Sequence, residues 1–194
     1  MRNKVAVFAS GNGTNAEKLF EHFKKHPVIE ISLLMCNNPE AGVIKKAKDK
    51  GIPSVLFTKN DLYDSNRVLK TLKENEIDWI ALAGFLLLLP SNIVTKYPNK
   101  IVNLHPALLP KYGGKGMYGI NVHQAVLDGK EEESGITIHL VNEEYDKGKI
   151  IFQATCLIDK GDTPDSLAAK IHKLEYEHFP PTLEGIILRK DVPT

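Results

Sequence analysis

Short apolar runs alternate with amphipathic stretches along the first hundred residues, and that alternation most restricts the fold. Residues 4–9 are an apolar run that stops at Ser10-Gly11-Asn12-Gly13-Thr14-Asn15. Ala16, Leu19, Phe20 and Phe23 then recur at i, i+3, i+4 and i+7, one face of a helix. The same reading predicts strands over 29–36, 54–57 (at the sheet edge), 79–83 and 101–105. Between them it predicts helices over 41–50 (stopped by Gly51), 62–75 and 91–97. A βαβαβαβαβ order implies a parallel sheet with right-handed crossovers. After residue 106 the rhythm changes. A helix over 121–128, closed by Gly129, precedes two strands, 135–141 and 149–157, joined as a hairpin through residues 142–148. Thr163-Pro164-Asp165 is a helix start, with Leu167, Ile171 and Leu174 on one face. Pro180-Pro181 is expected to break that helix before a last turn or two. The expected fold class is α/β, a mostly parallel twisted sheet with helices on both faces and an antiparallel C-terminal edge. The 194 residues read as one domain, a parallel half over about 1–105 and a second half over about 106–194.

Composition narrows the function classes. Hydrophobic residues make up 42% and charged residues 25%, with a net charge of +1, so nothing points to an electrostatic grip on nucleic acid or anionic lipid. The longest uncharged apolar run, residues 80–89, is too short to span a bilayer. No signal peptide is expected, because residues 4–9 lead into a glycine loop rather than a cleavage site. Cys36 and Cys156 lie far apart without a CxxC pair and read as core thiols of a reducing, cytoplasmic setting.

The run Ile101-Val-Asn-Leu-His-Pro106 carries the most chemistry. Alternate strand residues share a face, so Asn103 and His105 emerge together, and Pro106 ends the pairing. That places an amide and an imidazole at the carboxyl end of a buried strand, where open α/β sheets bind ligands. The amide can donate to a developing oxyanion, and the imidazole can move a proton near neutral pH. The same residues could equally be a loop cap and a satisfied core histidine.

Gly11-Asn12-Gly13-Thr14-Asn15-Ala16 superficially matches the G-x-G-x-x-A dinucleotide fingerprint. A nicotinamide cofactor also needs an acid at the end of the second strand, and Asn37-Asn38 stands there. The loop therefore reads as a phosphate site, with no NAD, or else as a glycine-permitted turn with Thr14 or Asn15 as helix cap. Asp146 lies in an Asp-Lys-Gly turn between the hairpin strands; if it reached His105 it would raise that imidazole's pKa. His22 and His26 have metal-ligand spacing on the first helix but no third ligand, and read as a solvated surface pair. No metal is expected. Glu131-Glu132-Glu133 reads as a solvated loop, and His139 as a structural hydrogen-bonder rather than a second catalyst.

Ser10-Gly-Asn-Gly-Thr-Asn15, Ala83-Gly-Phe85, Asn103-Leu-His-Pro-Ala-Leu-Leu-Pro-Lys111 and residues 139–148 share the order and spacing of one family. Over essentially its whole length the chain resembles the phosphoribosylglycinamide formyltransferases. The resemblance implies a Rossmann-like fold and transfer of the formyl group of 10-formyltetrahydrofolate, a co-substrate, to the amine of 5-phosphoribosylglycinamide in purine synthesis. It assigns Asn103, His105 and Asp146 as the catalytic trio, with Asn103 on the tetrahedral oxyanion and His105 protonated with help from Asp146. It places Gly13, Thr14 and Asn15 on the substrate phosphate, and His172, Lys173, Leu174 and Glu175 near the ribonucleotide. Leu86, Leu87, Leu88 and Leu89, with Asn103, Asn142, Glu143, Glu144, Tyr145 and Asp146, would line the folate pocket. The expected partners are these two small molecules, without nucleic acid or membrane, for a monomer or homodimer.

Two departures stand out. Relatives often carry a basic residue where this chain has Leu87, and their other folate-contacting arginine has no assigned counterpart, although Arg67 is nearby. The glycine-rich stretch 112–119 reads as a lid. Among rivals, methionyl-tRNA formyltransferase would need a nucleic-acid-binding domain and surplus positive charge, and formyltetrahydrofolate hydrolase usually carries an N-terminal regulatory domain. A nucleotide-binding module without formyl transfer would leave Asn103, His105 and Asp146 without a purpose.

Overall fold

The computed structural model describes residues 2–189. The parallel half comprises β1 (Asn3–Ala9), α1 (Thr14–Phe23), β2 (Ile29–Cys36), α2 (Gly42–Asp49), β3 (Ser54–Leu56), α3 (Lys59–Tyr63), α4 (Arg67–Glu74), β4 (Trp79–Leu82), α5 (Ser91–Val94) and β5 (Ile101–His105). The second half adds α6 (Ile120–Asp128), β6 (Glu133–Leu140), β7 (Ile150–Leu157) and α7 (Pro164–Leu188). The strands form one seven-stranded sheet in the order β3-β2-β1-β4-β5-β6-β7. β1 to β5 pair in parallel, and β6 and β7 join antiparallel.

Both sheet faces are covered, which explains the nearly unbroken apolar strands. Val5, Val7 and Ala9 of β1 point into a core shared with α1, α2 and α7, whereas Ala6 and Phe8 point into a second core shared with α4 and α5. Strand order reverses between β1 and β4, so the loops leaving their carboxyl ends diverge and open a crevice. Ser10 braces that crevice. Its N–H donates to Gly84 O (3.0 Å), and its Oγ accepts from Leu86 N (3.2 Å) and donates to Asn37 Oδ1 (2.7 Å).

Two expectations change. The helix predicted over 62–75 is two helices: Thr58 and Asp61 form a capping box that starts α3 early, and Asn66, at φ 54°, turns the chain before α4. The break predicted at Pro180-Pro181 does not occur, and α7 runs through both prolines to Leu188. Proline's fixed φ suits a helix, and its cost is a lost N–H donor and a local clash, about 3 kcal/mol. Phe179, Leu183, Ile186 and Ile187 are buried beyond or beside the pair. Each such side chain stabilises by roughly 1.5–3 kcal/mol, enough to hold the helix together.

Candidate active site

A cavity of about 730 Å³ opens at the carboxyl ends of β1, β4 and β5. β5 carries Asn103 and His105 to its floor, and the β5–β6 register sets Asn103 opposite His139 and His105 opposite Thr137. Asp146 arrives from the β6–β7 loop in the left-handed region, φ 54°, which aspartate tolerates better than most residues. Gly148 makes that turn possible, because a Cβ there would sit 1.7 Å from Leu140 O. Asp146 is thus both a turn residue and a site residue.

Four polar side chains interlock at the floor. His139 Nδ1 lies 2.8 Å from Leu140 O, so that nitrogen carries the proton and Nε2 accepts from Asn103 Nδ2 at 3.0 Å. Asp146 Oδ1 is 3.4 Å from the same Asn103 nitrogen and 3.5 Å from His139 Nε2, and Asp146 Oδ2 is 3.6 Å from His105 Nδ1. Gly114 N–H donates to Asp146 Oδ2 (2.9 Å), and His105 Nε2 donates to Tyr112 O (2.8 Å). The stretch 112–119 is therefore tied to the trio at its stem. Glu131, expected in a solvated loop, braces that stem by accepting from Lys111 Nζ and Tyr112 OH, each at 2.9 Å.

Burial corrects the electrostatic expectation for His105. At 3% exposure, loss of hydration is the largest influence and lowers its pKa. The Asp146 carboxylate and Tyr112 carbonyl pull it up, His139 opposes, and the balance stays below the usual imidazole value. Burial pushes Asp146 up, but His139, His105 and the Gly114 N–H together hold its carboxyl below the ordinary range.

The other end of the cavity is the N-terminus of α1, where Gly13, Thr14 and Asn15 line the wall. Gly13 occupies the cap position at φ 68°, and no side chain caps the helix, leaving backbone N–H groups and the positive helix end free for an anion. From α7, Glu175 and His172 face the same space. Glu175 is 5% exposed and accepts from Asn15 Nδ2 at 2.8 Å; burial pushes its pKa up to about 7 against that hydrogen bond. Leu86, Leu87, Leu88 and Leu89 line a third wall, as do Glu144, Tyr145 and Asp146.

Four expected residues lie off the walls. Lys173 is exposed, and Leu174 packs on the core instead. Asn142 is spent on its own turn, accepting from Glu144 N and donating to Lys147 O, and Glu143 is exposed. Arg67 pairs with Asp61 at 3.2 Å, whereas Lys59, which carries no sequence signal, reaches the cavity beside the Leu86–Leu89 loop. His123, buried in the wall, went unassigned. His139, read from its alternation with apolar neighbours as a structural hydrogen-bonder, is one, and its partner Asn103 comes from the β5–β6 register.

His22 and His26 are not simply solvated. His22 of α1 and His26, which lies beyond that helix's end at Phe23 rather than on it, converge on Glu184 of α7, at 2.5 and 3.3 Å, and tie the end of α1 to α7. Among the described residues no group of three or more His, Cys, Asp or Glu could hold a metal.

A formyl transferase signature covers residues 3–183. A Bacillus subtilis phosphoribosylglycinamide formyltransferase is 36% identical across 95% of this chain and 94% of its own. The chain belongs to the formyl transferase family, among the phosphoribosylglycinamide formyltransferases. A chloroplastic phosphoribosylglycinamide formyltransferase of Arabidopsis thaliana is 41% identical over 91% of this chain, and the chain spans 64% of that relative's length. The crystal structure of the Bacillus halodurans phosphoribosylglycinamide formyltransferase superposes with a TM-score of 0.87 at 33% identity, covering 97% of each chain. The cavity of this formyl transferase thus lies within a fold shared along nearly the whole molecule.

Proposed function

We propose that the chain, acting as one formyl-transfer domain, moves the formyl group of 10-formyltetrahydrofolate to the amine of 5-phosphoribosylglycinamide, yielding the N-formyl ribonucleotide and tetrahydrofolate. The observation that carries this reading is the convergence of Asn103, His105 and Asp146 at one end of a cavity whose other end is an uncapped helix N-terminus. A phosphate fits the Gly13–Asn15 end, where backbone donors and helix dipole act together. A folate fits the Leu86–Leu89 wall, which offers exposed apolar surface at Leu86 and a cation at Lys59. The formylfolate supplies an activated one-carbon unit.

The residues then take distinct parts. His139 Nε2 at 3.0 Å and Asp146 Oδ1 at 3.4 Å fix the Asn103 amide between them, and the longer contact, to Asp146, is the one an N–H exchanges for the oxygen that becomes negative as the formyl carbon turns tetrahedral. Both ring nitrogens of His105 face acceptors, the Asp146 carboxylate and the Tyr112 carbonyl, an arrangement suited to the imidazolium. Burial keeps the ring neutral at rest, and negative charge arising beside it favours proton uptake. A shift of the 112–119 lid releases Nε2–H towards that charge. Glu175, with a pKa near neutrality, can take the proton that the attacking amine loses as it bonds to the formyl carbon. The tetrahedral carbon then breaks its bond to the folate nitrogen, which leaves with the proton carried by His105.

Asn37 and Asn38 support the phosphate over the dinucleotide reading, because both are spent bracing Ser10. The reading is tested by incubating purified protein with both substrates. Gain of one formyl group on the ribonucleotide by mass spectrometry, in step with loss of formylfolate, is expected. Formate release without ribonucleotide would instead indicate a hydrolase.

A further inference from the structure

The two edges of the sheet are finished differently. β3, at one edge, is three residues long and offers a visiting strand little to pair with. β7, at the other, runs for eight residues, Ile150–Leu157, with neither a charged side chain nor a proline. Sheets usually blunt an edge of that length with one or the other. The β6–β7 register shows which backbone groups are left over. Ile158 N–H donates to Glu132 O, so from Phe152 onward the even-numbered residues bond to β6, while Gln153, Thr155 and Leu157 turn their N–H and C=O groups outward. Lys170 Nζ covers one of these, Leu157 O, at 3.2 Å. Phe152, Ala154 and Cys156 pack on the core and hold the strand in place.

The ends of β7 say what pairs with it. Leu157, at one end, is 72% exposed, and Ile150, at the other, is 42% exposed. Lys149 stands immediately before the strand, whereas Glu132, Glu133 and Asp159 surround its far end and outnumber Lys160 and Lys170 there. An antiparallel copy lays the start of one strand beside the end of the other. Ile150 then covers Leu157 of the second copy, and Lys149 faces its acidic end, twice over by symmetry. A parallel copy would set like charge on like. We infer that β7 docks a second copy of this chain, edge to edge and antiparallel, so that one sheet continues across a two-fold axis.

The experiment is sedimentation of the full chain over a range of micromolar concentrations, as wild type, Leu157→Lys and Thr155→Pro. Wild type should sediment as a dimer. Leu157→Lys, present once in each copy, should weaken that dimer about hundredfold by removing apolar cover and adding a charge to the edge. Thr155→Pro removes an outward N–H without costing a bond to β6, and should also leave a monomer. Hydrogen exchange supplies the location: the Gln153 and Thr155 amides should exchange slowly in the wild-type dimer and fast in Leu157→Lys. A wild-type chain that stays monomeric overturns the inference, whether the edge is bare or takes an extended peptide instead. A dimer that survives both substitutions, or one in which the two amides still exchange fast, places the contact elsewhere and overturns it as well. If Thr155→Pro fails to fold, Leu157→Lys, changed at an exposed side chain, decides alone.

Discussion

Glu175 should leave a measurable imprint on stability. Its carboxyl is raised from 4.5 to about 7 inside the cavity wall. A raised pKa means the folded chain holds a proton that the unfolded chain releases, so the associated stability is full below pH 4.5 and is lost as pH climbs through about 7. Between pH 5 and pH 9 this one group should cost the fold roughly 2.5 kcal/mol. Glu175→Gln removes the titration yet keeps an oxygen to accept from Asn15 Nδ2. Urea unfolding of both proteins across that range should give curves that converge at the acid end and separate towards alkaline pH, with the glutamine variant more stable. Parallel curves would mean that the carboxyl is hydrated or paired and that the proton-acceptor role lacks its basis.

Asp146→Asn should move the His105 titration to still lower pH, because it removes the carboxylate that pulls the imidazole up; labelled-histidine NMR reads this directly, and an unmoved titration would uncouple the pair. Gly13→Ala should destabilise the protein by roughly 1–3 kcal/mol in thermal unfolding, since a Cβ there meets Val43 Cγ2 at 2.3 Å from a positive φ, whereas Gly11→Ala, with open space around it, should not. Equal melting points would refute that packing. Isothermal titration with NAD or NADP should show no saturable binding to the wild-type chain, and a clear isotherm would revive the dinucleotide reading.

The alternation of apolar runs located every strand, because strands covered on both faces leave a simple signature. Asn103 and His105 were legible for the same reason: strand periodicity and Pro106 fix where they emerge. Residues whose role depends on distant partners were not. Asp146 looks like a turn residue because it is one, and only the folded loop brings it 3.6 Å from His105. The same distance in sequence hid Glu184 between His22 and His26, and hid His139 behind Asn103. Sequence also missed the contest between burial and charge at His105, since neither hydration nor the Tyr112 carbonyl can be read along a strand. The glycine loop adds a different lesson: Gly13 is required by the packing of α2 against it, so a bulky residue there tests the fold before it tests the anion.

The central claim is that Asn103 and His105 perform formyl transfer together. Steady-state turnover of 5-phosphoribosylglycinamide with formylfolate, followed by folate absorbance, tests it most directly. Asn103→Ala should lose roughly 10²–10³ in kcat as one oxyanion donor, and His105→Ala on the order of 10²–10⁴, both with wild-type unfolding curves. Near-normal turnover by a folded His105→Ala protein would contradict the account.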